Sequence, residues 1–331
     1  MSSRPLDIAA FLDHHGWGNA RAQALDGDFS TRRYARLTKD SGESAFLMDA
    51  DEDQKTPQFL TTAKILRSLG VKAPEIYAAD GERGLVLMQD FGTRNVGALL
   101  DAGEPPLPYF LRAAEVLAQI HRGFDSAAHK VSDLPIFDAE LFTTQVELFL
   151  DAYFLISLGR EASDEERQDF RAAWQSVLKP LEGLPKSLLM RDYMPDNLMD
   201  LPDSELGVLD FQDAGIGPIA YDLASLCEEV RRDGGFALLP DVVAHYLGIA
   251  RCSLMESALL RACTILSAQR HMRILGIIAR LSFKTGRCDK FAFLPRIRHH
   301  IEHVLKEPYL LPVKEWVDNF DGLLSDDKAD L

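Results

Sequence analysis

No Cys-x-x-Cys pair occurs among the four cysteines, Cys227, Cys252, Cys263 and Cys288. Zinc ribbons and redox dithiols need that local spacing, so these read as buried or idle thiols in a reducing compartment. A basic stripe is also missing: 36 Lys+Arg stand against 51 Asp+Glu, a formal charge of −15. Neutralising nucleic-acid phosphates takes clustered cations, so no nucleic-acid partner is expected, while cationic small molecules are tolerated. No apolar run reaches the roughly 18 residues of a membrane span. The opening MSSRPLDIAAFLDHH lacks the unbroken apolar core of a signal peptide. A cytoplasmic protein without a membrane partner is the expectation. There is no internal repeat, and the acidic tail SDDKADL reads as frayed.

What is present is ordinary globular material. Apolar residues make up 47% of 331 residues, enough for a sizeable core and, as a prior, for two domains or two lobes. Strand-like runs are YARLT (34–38), SAFLMDA (44–50) and GLVLMQD (84–90). Between them Phe59, Leu60, Ala63, Leu66 and Leu69 mark one face of a helix that Gly70 closes. DAGEPPLP (101–108) reads as a turn before a long helix over 108–124. Beyond it the pattern is helical to the end, apart from an apolar β-like region at 187–211. The expected class is α+β, a small β-rich lobe followed by a larger helical one.

The chemistry concentrates in LLMRDYMPDNLMDLPDSELGVLDFQDAG (188–215). LMDL (198–201) and LGVLD (206–210), joined by PDSE, predict a hairpin. The start of its first strand lies beside the end of its second, which sets Asn197 next to Asp210. An amide oxygen and a carboxylate, with Asp213 close by, make a hard-oxygen site suited to Mg²⁺. Asp192, five residues before Asn197, stands where it could accept a proton from a hydroxyl near a metal-bound phosphate. The blander reading is a turn-rich hairpin with capping side chains. Convergence of three polar residues by independent local geometry favours the chemical one.

Asp, five residues, Asn, a hairpin and Asp-Phe resemble the catalytic loop and metal-binding aspartate of the protein-kinase-like fold. RDYMPDNLM followed by VLDFQDAGIGPIAYDLASL resembles the aminoglycoside phosphotransferase superfamily. Within it the chain is similar to bacterial sugar kinases of cell-wall recycling that act on N-acetylmuramate and N-acetylglucosamine. DFSTRRYARL (28–37), FLMDADEDQK (46–55) and QRHMRILGIIARL (269–281) support that branch. The resemblance implies a bilobal fold, with residues 1–90 a nucleotide-binding lobe and 91–331 a lobe carrying catalytic loop, metal site and substrate pocket. It implies ATP and Mg²⁺ as cofactors, Asp192 as catalytic base, and Asn197 and Asp210 as metal ligands. Gly27, Ser30 and Thr31 would form the loop over the phosphates, and Met88, Gln89 and Asp90 the hinge that meets adenine. Asp213 would sit beside the metal or the sugar. A small-molecule substrate and a monomer or weak homodimer are expected. An aminoglycoside or choline-like kinase is the alternative, favoured by the −15 charge.

Kinases of this fold carry a lysine on the third strand paired with a helix glutamate. Here the strand reads SAFLMDA and neither partner is in place. The sugar-kinase branch also reads Met-Asp there. Arg32, Arg33, Arg36 and Lys55 are the candidate replacements, Arg33 being preferred. The missing pair also motivates a nucleotide-binding pseudokinase scaffold, against which the intact Asp192, Asn197 and Asp210 argue. Met190 and Met194 stand where the branch carries histidines. Asp90-Phe91-Gly92 spells the kinase triplet but precedes Asp192, so it is a hinge feature. Asp222 reads as a helix N-cap and His121 as a hydrogen-bonded core histidine. Glu147, Gln269, Arg270 and His271 are candidates for lining a sugar pocket, because three consecutive polar residues are not expected all to face inward. His299 and His303 have the spacing of a helical zinc pair, but with Arg296 and Arg298 nearby a solvated basic face is preferred over a metal site.

Overall fold

The computed structural model describes residues 4–25, 32–50, 55–129, 131, 134–286 and 288–325. The described strands are β1 (Arg21–Leu25), β2 (Arg33–Thr38), β3 (Ser44–Asp49), β4 (Ile76–Asp80), β5 (Leu85–Gln89), β6 (Lys186–Leu189), β7 (Leu198–Asp200), β8 (Leu206–Val208) and β9 (Gly215–Pro218). The helices are α1 (Arg4–His14), α2 (Thr56–Ser68), α3 (Val96–Asp101), α4 (Pro106–Gly123), α5 (Ala139–Val146), α6 (Leu155–Leu158), α7 (Asp164–Leu178), α8 (Ala220–Cys227), α9 (Leu239–Ala250), α10 (Glu256–Thr285), α11 (Leu294–Val304) and α12 (Leu311–Asp318). The chain divides into two compact units. One joins Met1–Pro105, Arg122–Leu134 and Met190–Ala214; the other joins Pro106–His121, Pro135–Leu189 and Gly215–Leu331.

In the first unit the five N-terminal strands form one antiparallel sheet in the order β1-β2-β3-β5-β4. Strand alternation decides which side chains meet. Leu37, Ala45, Leu47, Leu85 and Leu87 share one face and pack with Phe11 of α1 and Trp17. The runs expected at 34–38, 44–50 and 84–90 are the three inner strands. β1 and β4 are the edges, and their half-solvated residues lack a clean apolar alternation, which is why neither stands out in the sequence. α2 follows the expected stripe, with Phe59, Ala63 and Leu66 buried, and Gly70 leaves it at φ 77°. The 198–210 segment is the expected hairpin, with Leu198 opposite Val208 and Asp200 opposite Leu206.

The second unit is helical apart from β6 and β9, which pair antiparallel. Its axis is α10, 30 residues long, packed against α5, α8, α9 and α11. Neighbours around much of its circumference explain why polar as well as apolar residues of α10 are buried. The stretch Ala139–Leu158 is long and apolar enough by composition to cross a bilayer, contrary to the reading that no such run exists. It runs through α5, a π-helical turn at Phe149–Phe154 and α6, and half of it is buried within the fold. α4 begins at Pro106, two residues earlier than expected. Proline is tolerated in a first helical turn, where its missing N–H is not needed.

Gly276 of α10 faces the π-helical turn so closely that a Cβ there would lie 2.4 Å from the Leu148 carbonyl oxygen. Replacing a helix-interior glycine with alanine ordinarily stabilises by about 1 kcal/mol. Here backbone meets backbone, and overpacking costs about 1–3 kcal/mol. Gly276→Ala should therefore lower the midpoint of chemical unfolding; a raised midpoint would contradict this account.

Candidate active site

The segment Met190–Ala214 supplies the loop, the hairpin and the acidic residues. Asp192 follows Arg191, whose φ of 74° lies in the left-handed region, and its N–H donates to the Met190 carbonyl at 3.0 Å. Asn197 ends a short 3-10 turn and donates Nδ2 to the Asp192 carbonyl at 2.8 Å. The same nitrogen lies 3.4 Å from Asp210 Oδ2, the side-by-side arrangement expected of the hairpin. The Leu209 N–H donates to the Asn197 carbonyl at 2.9 Å, carrying the ladder one step past β8. Asp210 itself has φ 60°. Left-handed backbone costs a non-glycine residue on the order of 1 kcal/mol or more, and it is retained where surrounding structure enforces it. Arg191 and Asp210 are such positions, each at or next to one of the acids.

Asp210 is short of positive charge. Burial raises its carboxyl above the ordinary value and the Asp192 charge adds to the rise, while a hydrogen bond from Gln212 and the Arg32 charge lower it. Gln212 Nε2 donates to Oδ1 at 2.8 Å, but its own Oε1 is buried with no hydrogen-bond partner. A repelled carboxylate, an amide oxygen on Asn197 and an unpaired buried oxygen are the donor chemistry of a hard divalent cation. The residues fit Mg²⁺. Two contacts from the α2 region hold the segment: Phe59 stacks on Phe211 at 4.7 Å, and Lys55 pairs with Asp213.

The arginines divide by sheet face. Arg33 lies opposite Asp49 in the β2–β3 register and pairs with its carboxylate at 2.8 Å, and Arg4 of α1 pairs with the same group. That face is the one α1 covers. Arg36 lies on the other face, over the Phe46 ring at 5.1 Å, and binds Asp90 through two nitrogens at 2.8 and 3.0 Å. Arg32 stands immediately before β2. It is buried, and its charge acts on Asp210. The Gly92 N–H donates to Asp90 Oδ1 at 2.7 Å, so the carboxylate of the Asp90-Phe91-Gly92 triplet is engaged locally. Met88 is buried, and the Gln89 N–H donates to the Glu75 carbonyl at 2.8 Å. Gly27, Ser30 and Thr31 lie outside the described residues.

In the helical unit, Glu147 is held by Arg171 at 2.8 Å. Gln269, Arg270 and His271 are all buried, correcting the expectation that three consecutive polar residues could not all face inward. Gln269 Nε2 donates to the Phe142 carbonyl at 2.8 Å. Met190 and Met194 are buried too. His121 is the expected core histidine: Nδ1 lies 2.8 Å from the Tyr246 hydroxyl, and burial lowers its pKa to about 3. Asp222 is not an N-cap, a position held by Ile219, but a fully buried residue in the first turn of α8. The basic face expected around Arg296–His303 is only partly solvated. Arg298 is buried and donates to the Tyr153 hydroxyl at 2.7 Å, because α11 turns that side to the core.

The model of the phosphotransferase enzyme family matches residues 21–256, which take in the sheet, the Asp192 loop and the hairpin. The chain belongs to that family. As a family member it is a kinase with an alcohol group as acceptor. The N-acetylmuramate/N-acetylglucosamine kinase of Pseudomonas putida is 30% identical over 313 residues, 92% of this chain and 90% of the relative. Its namesake from Neisseria meningitidis serogroup B is 31% identical over 290 residues, 85% of this chain and 84% of the relative. A choline/ethanolamine kinase family protein from Mesorhizobium loti superposes with a TM-score of 0.64 at 15% identity, covering 94% of this chain and 99% of that one. That last likeness is one of fold alone.

Three participants escape a reading of the sequence. Gln212 is visible only as part of the Asp-Phe-Gln-Asp run, and nothing local says that its amide turns back two residues to Asp210. The Lys55–Asp213 and Phe59–Phe211 contacts join positions more than a hundred residues apart, which no local periodicity encodes.

The raised Asp210 value has a defined pH signature. A neutral carboxyl is favoured in the folded state, so this group's stability penalty is absent below the ordinary value of 3.8 and complete once pH exceeds the folded value. Without divalent ions, Asp210→Asn should melt at a higher temperature than the wild type near neutrality. The difference should shrink toward acid, and an unchanged or lower melting temperature at neutral pH would contradict the repulsion.

Proposed function

We propose that the chain is an ATP- and Mg²⁺-dependent kinase that phosphorylates a hydroxyl of an N-acetylmuramate/N-acetylglucosamine-type amino sugar. The observation that carries this is Asn197, whose one amide nitrogen reaches both the Asp192 carbonyl and the Asp210 carboxylate, fixing base and metal ligand to each other. Support for the sugar comes from relatives of that name at about 30% identity over most of both chains. Asp192 accepts the proton of the attacking hydroxyl, and Asn197 fixes its loop. Asp210 and the Asn197 oxygen would hold Mg²⁺, which would supply positive charge to offset that of the ATP phosphates. Catalysis is then largely positioning and electrostatic stabilisation.

Gly27, Ser30 and Thr31 cover the phosphates in this reading, and Met88, Gln89 and Asp90 meet the adenine. The phosphate-facing cation is Arg32. The engagement of Arg33 by Asp49 on the α1 face supports moving that part from Arg33 to its neighbour. Asp213 completes the acid group on the acceptor side. A cytoplasmic enzyme acting alone on a small molecule fits this reading.

The test is ADP release from Mg·ATP with N-acetylglucosamine, N-acetylmuramate, glucosamine, kanamycin and choline as acceptors. The N-acetyl sugars should be turned over and the cations should not. Asp192→Asn should lose about a hundredfold or more in turnover while keeping nucleotide affinity within a few-fold. Arg32→Ala should raise the KM for ATP well above that of Arg33→Ala. Turnover of kanamycin or choline alone would replace the acceptor assignment, and no turnover with measurable ATP binding would favour a scaffold.

A further inference from the structure

The histidines of α11 are arranged differently from their sequence pattern. His299 and His303, the pair with zinc spacing, are exposed. His300, between them, turns inward, and its Nε2 lies 2.8 Å from Glu228 Oε2. Its ring approaches the ring of His271 on α10 to 4.1 Å between centroids. We propose that Glu228, His271 and His300 form a site for a divalent transition-metal ion, zinc in particular, within the helical unit.

The donor chemistry supports an ion. The Glu228 side chain has 0% exposure, and its Oε2 meets both His300 and the Ser267 hydroxyl. Its Oε1 has no hydrogen-bond partner. A carboxylate oxygen left that way in an interior is costly, because nothing replaces the hydrogen bonds it would make to water. His271 Nδ1 is 2.8 Å from the Ser267 carbonyl, which can only accept, and the tautomer with its proton on Nδ1 leaves the Nε2 lone pair for an ion. A histidine whose far nitrogen is fixed by a carbonyl is the usual outer arrangement of a metal-ligating imidazole.

The geometry is close to what zinc requires. One donor atom from each residue lies within 4.8 Å of the others. A tetrahedral ion with bonds of about 2.1 Å sets its ligands about 3.4 Å apart, so His300 Nε2 and Glu228 Oε2, now 2.8 Å apart, open slightly while the three donors adjust within their 4.8 Å spread. The three ligands stand at the end of α8, in the middle of α10 and on α11, and α10 packs against both other helices. Two imidazoles and one carboxylate favour zinc over magnesium or calcium, which prefer all-oxygen shells. The Ser267 hydroxyl, 2.9 Å from His300 Nε2, or a water supplies the fourth position. Bound there, the ion fastens α11 to α8 and α10.

The test uses full-length, untagged protein stripped with a chelator and titrated with Zn²⁺ by calorimetry, with Co²⁺ as a spectroscopic probe. The expected result is one equivalent per chain, a rise in melting temperature, and a tetrahedral Co²⁺ absorption displaced by Zn²⁺ but not by Mg²⁺. His300→Ala and Glu228→Gln should each weaken uptake at least about tenfold. His299→Ala and His303→Ala should bind as the wild type does. Absence of the Co²⁺ band in the wild type, or uptake that follows His299 and His303, overturns the proposal whether or not the buried-site variants fold.

Discussion

Mutual repulsion among carboxylates is the constraint around which the first unit is arranged. Asp192, Asp210 and Asp213 fall within one short segment, and the buried Asp210 feels both of the others. Nearly every unusual feature nearby answers that repulsion. Asn197 and Gln212 turn amide donors on Asp210, Lys55 takes Asp213, and Arg32 contributes positive charge. Left-handed backbone at Arg191 and Asp210 keeps the acids where they are in spite of the cost. Such an arrangement suits a divalent cation, the common requirement of phosphoryl transfer.

The sheet performs a related sorting of charge. Where protein kinases pair a strand lysine with a helix glutamate, this chain has Met48 and Asp49. Asp49 draws Arg4 and Arg33 to the face packed by α1. Arg36 is taken by Asp90 on the opposite face, leaving Arg32 as the arginine acting on the acid cluster. A one-residue step, from Arg33 in β2 to Arg32 just before it, therefore separates the arginine held by Asp49 from the one whose charge acts on Asp210.

Local pattern reveals what local geometry determines. The hairpin, and with it the approach of Asn197 to Asp210, follows from two short apolar runs and a turn. The inner strands and α2 follow from their periodicities. The edge strands β1 and β4 do not, since solvent on one flank removes the pattern. Nor do the inward turn of His300, the burial of Arg298 or that of the Gln269–His271 triplet, since these depend on how many helices surround α10 and α11. The helical expectation of an outward polar side fails for α10 because other helices pack around much of it.

The central claim, that Asp210 and Asn197 form the metal site and Asp192 does not, is tested most directly by Mn²⁺ electron paramagnetic resonance with a non-hydrolysable ATP analogue. Wild type, Asp192→Asn and Asp210→Asn would be titrated in parallel. Nucleotide-dependent Mn²⁺ binding should be alike in the first two and at least about tenfold weaker in Asp210→Asn. Equal binding in all three, or loss confined to Asp192→Asn, would contradict the account.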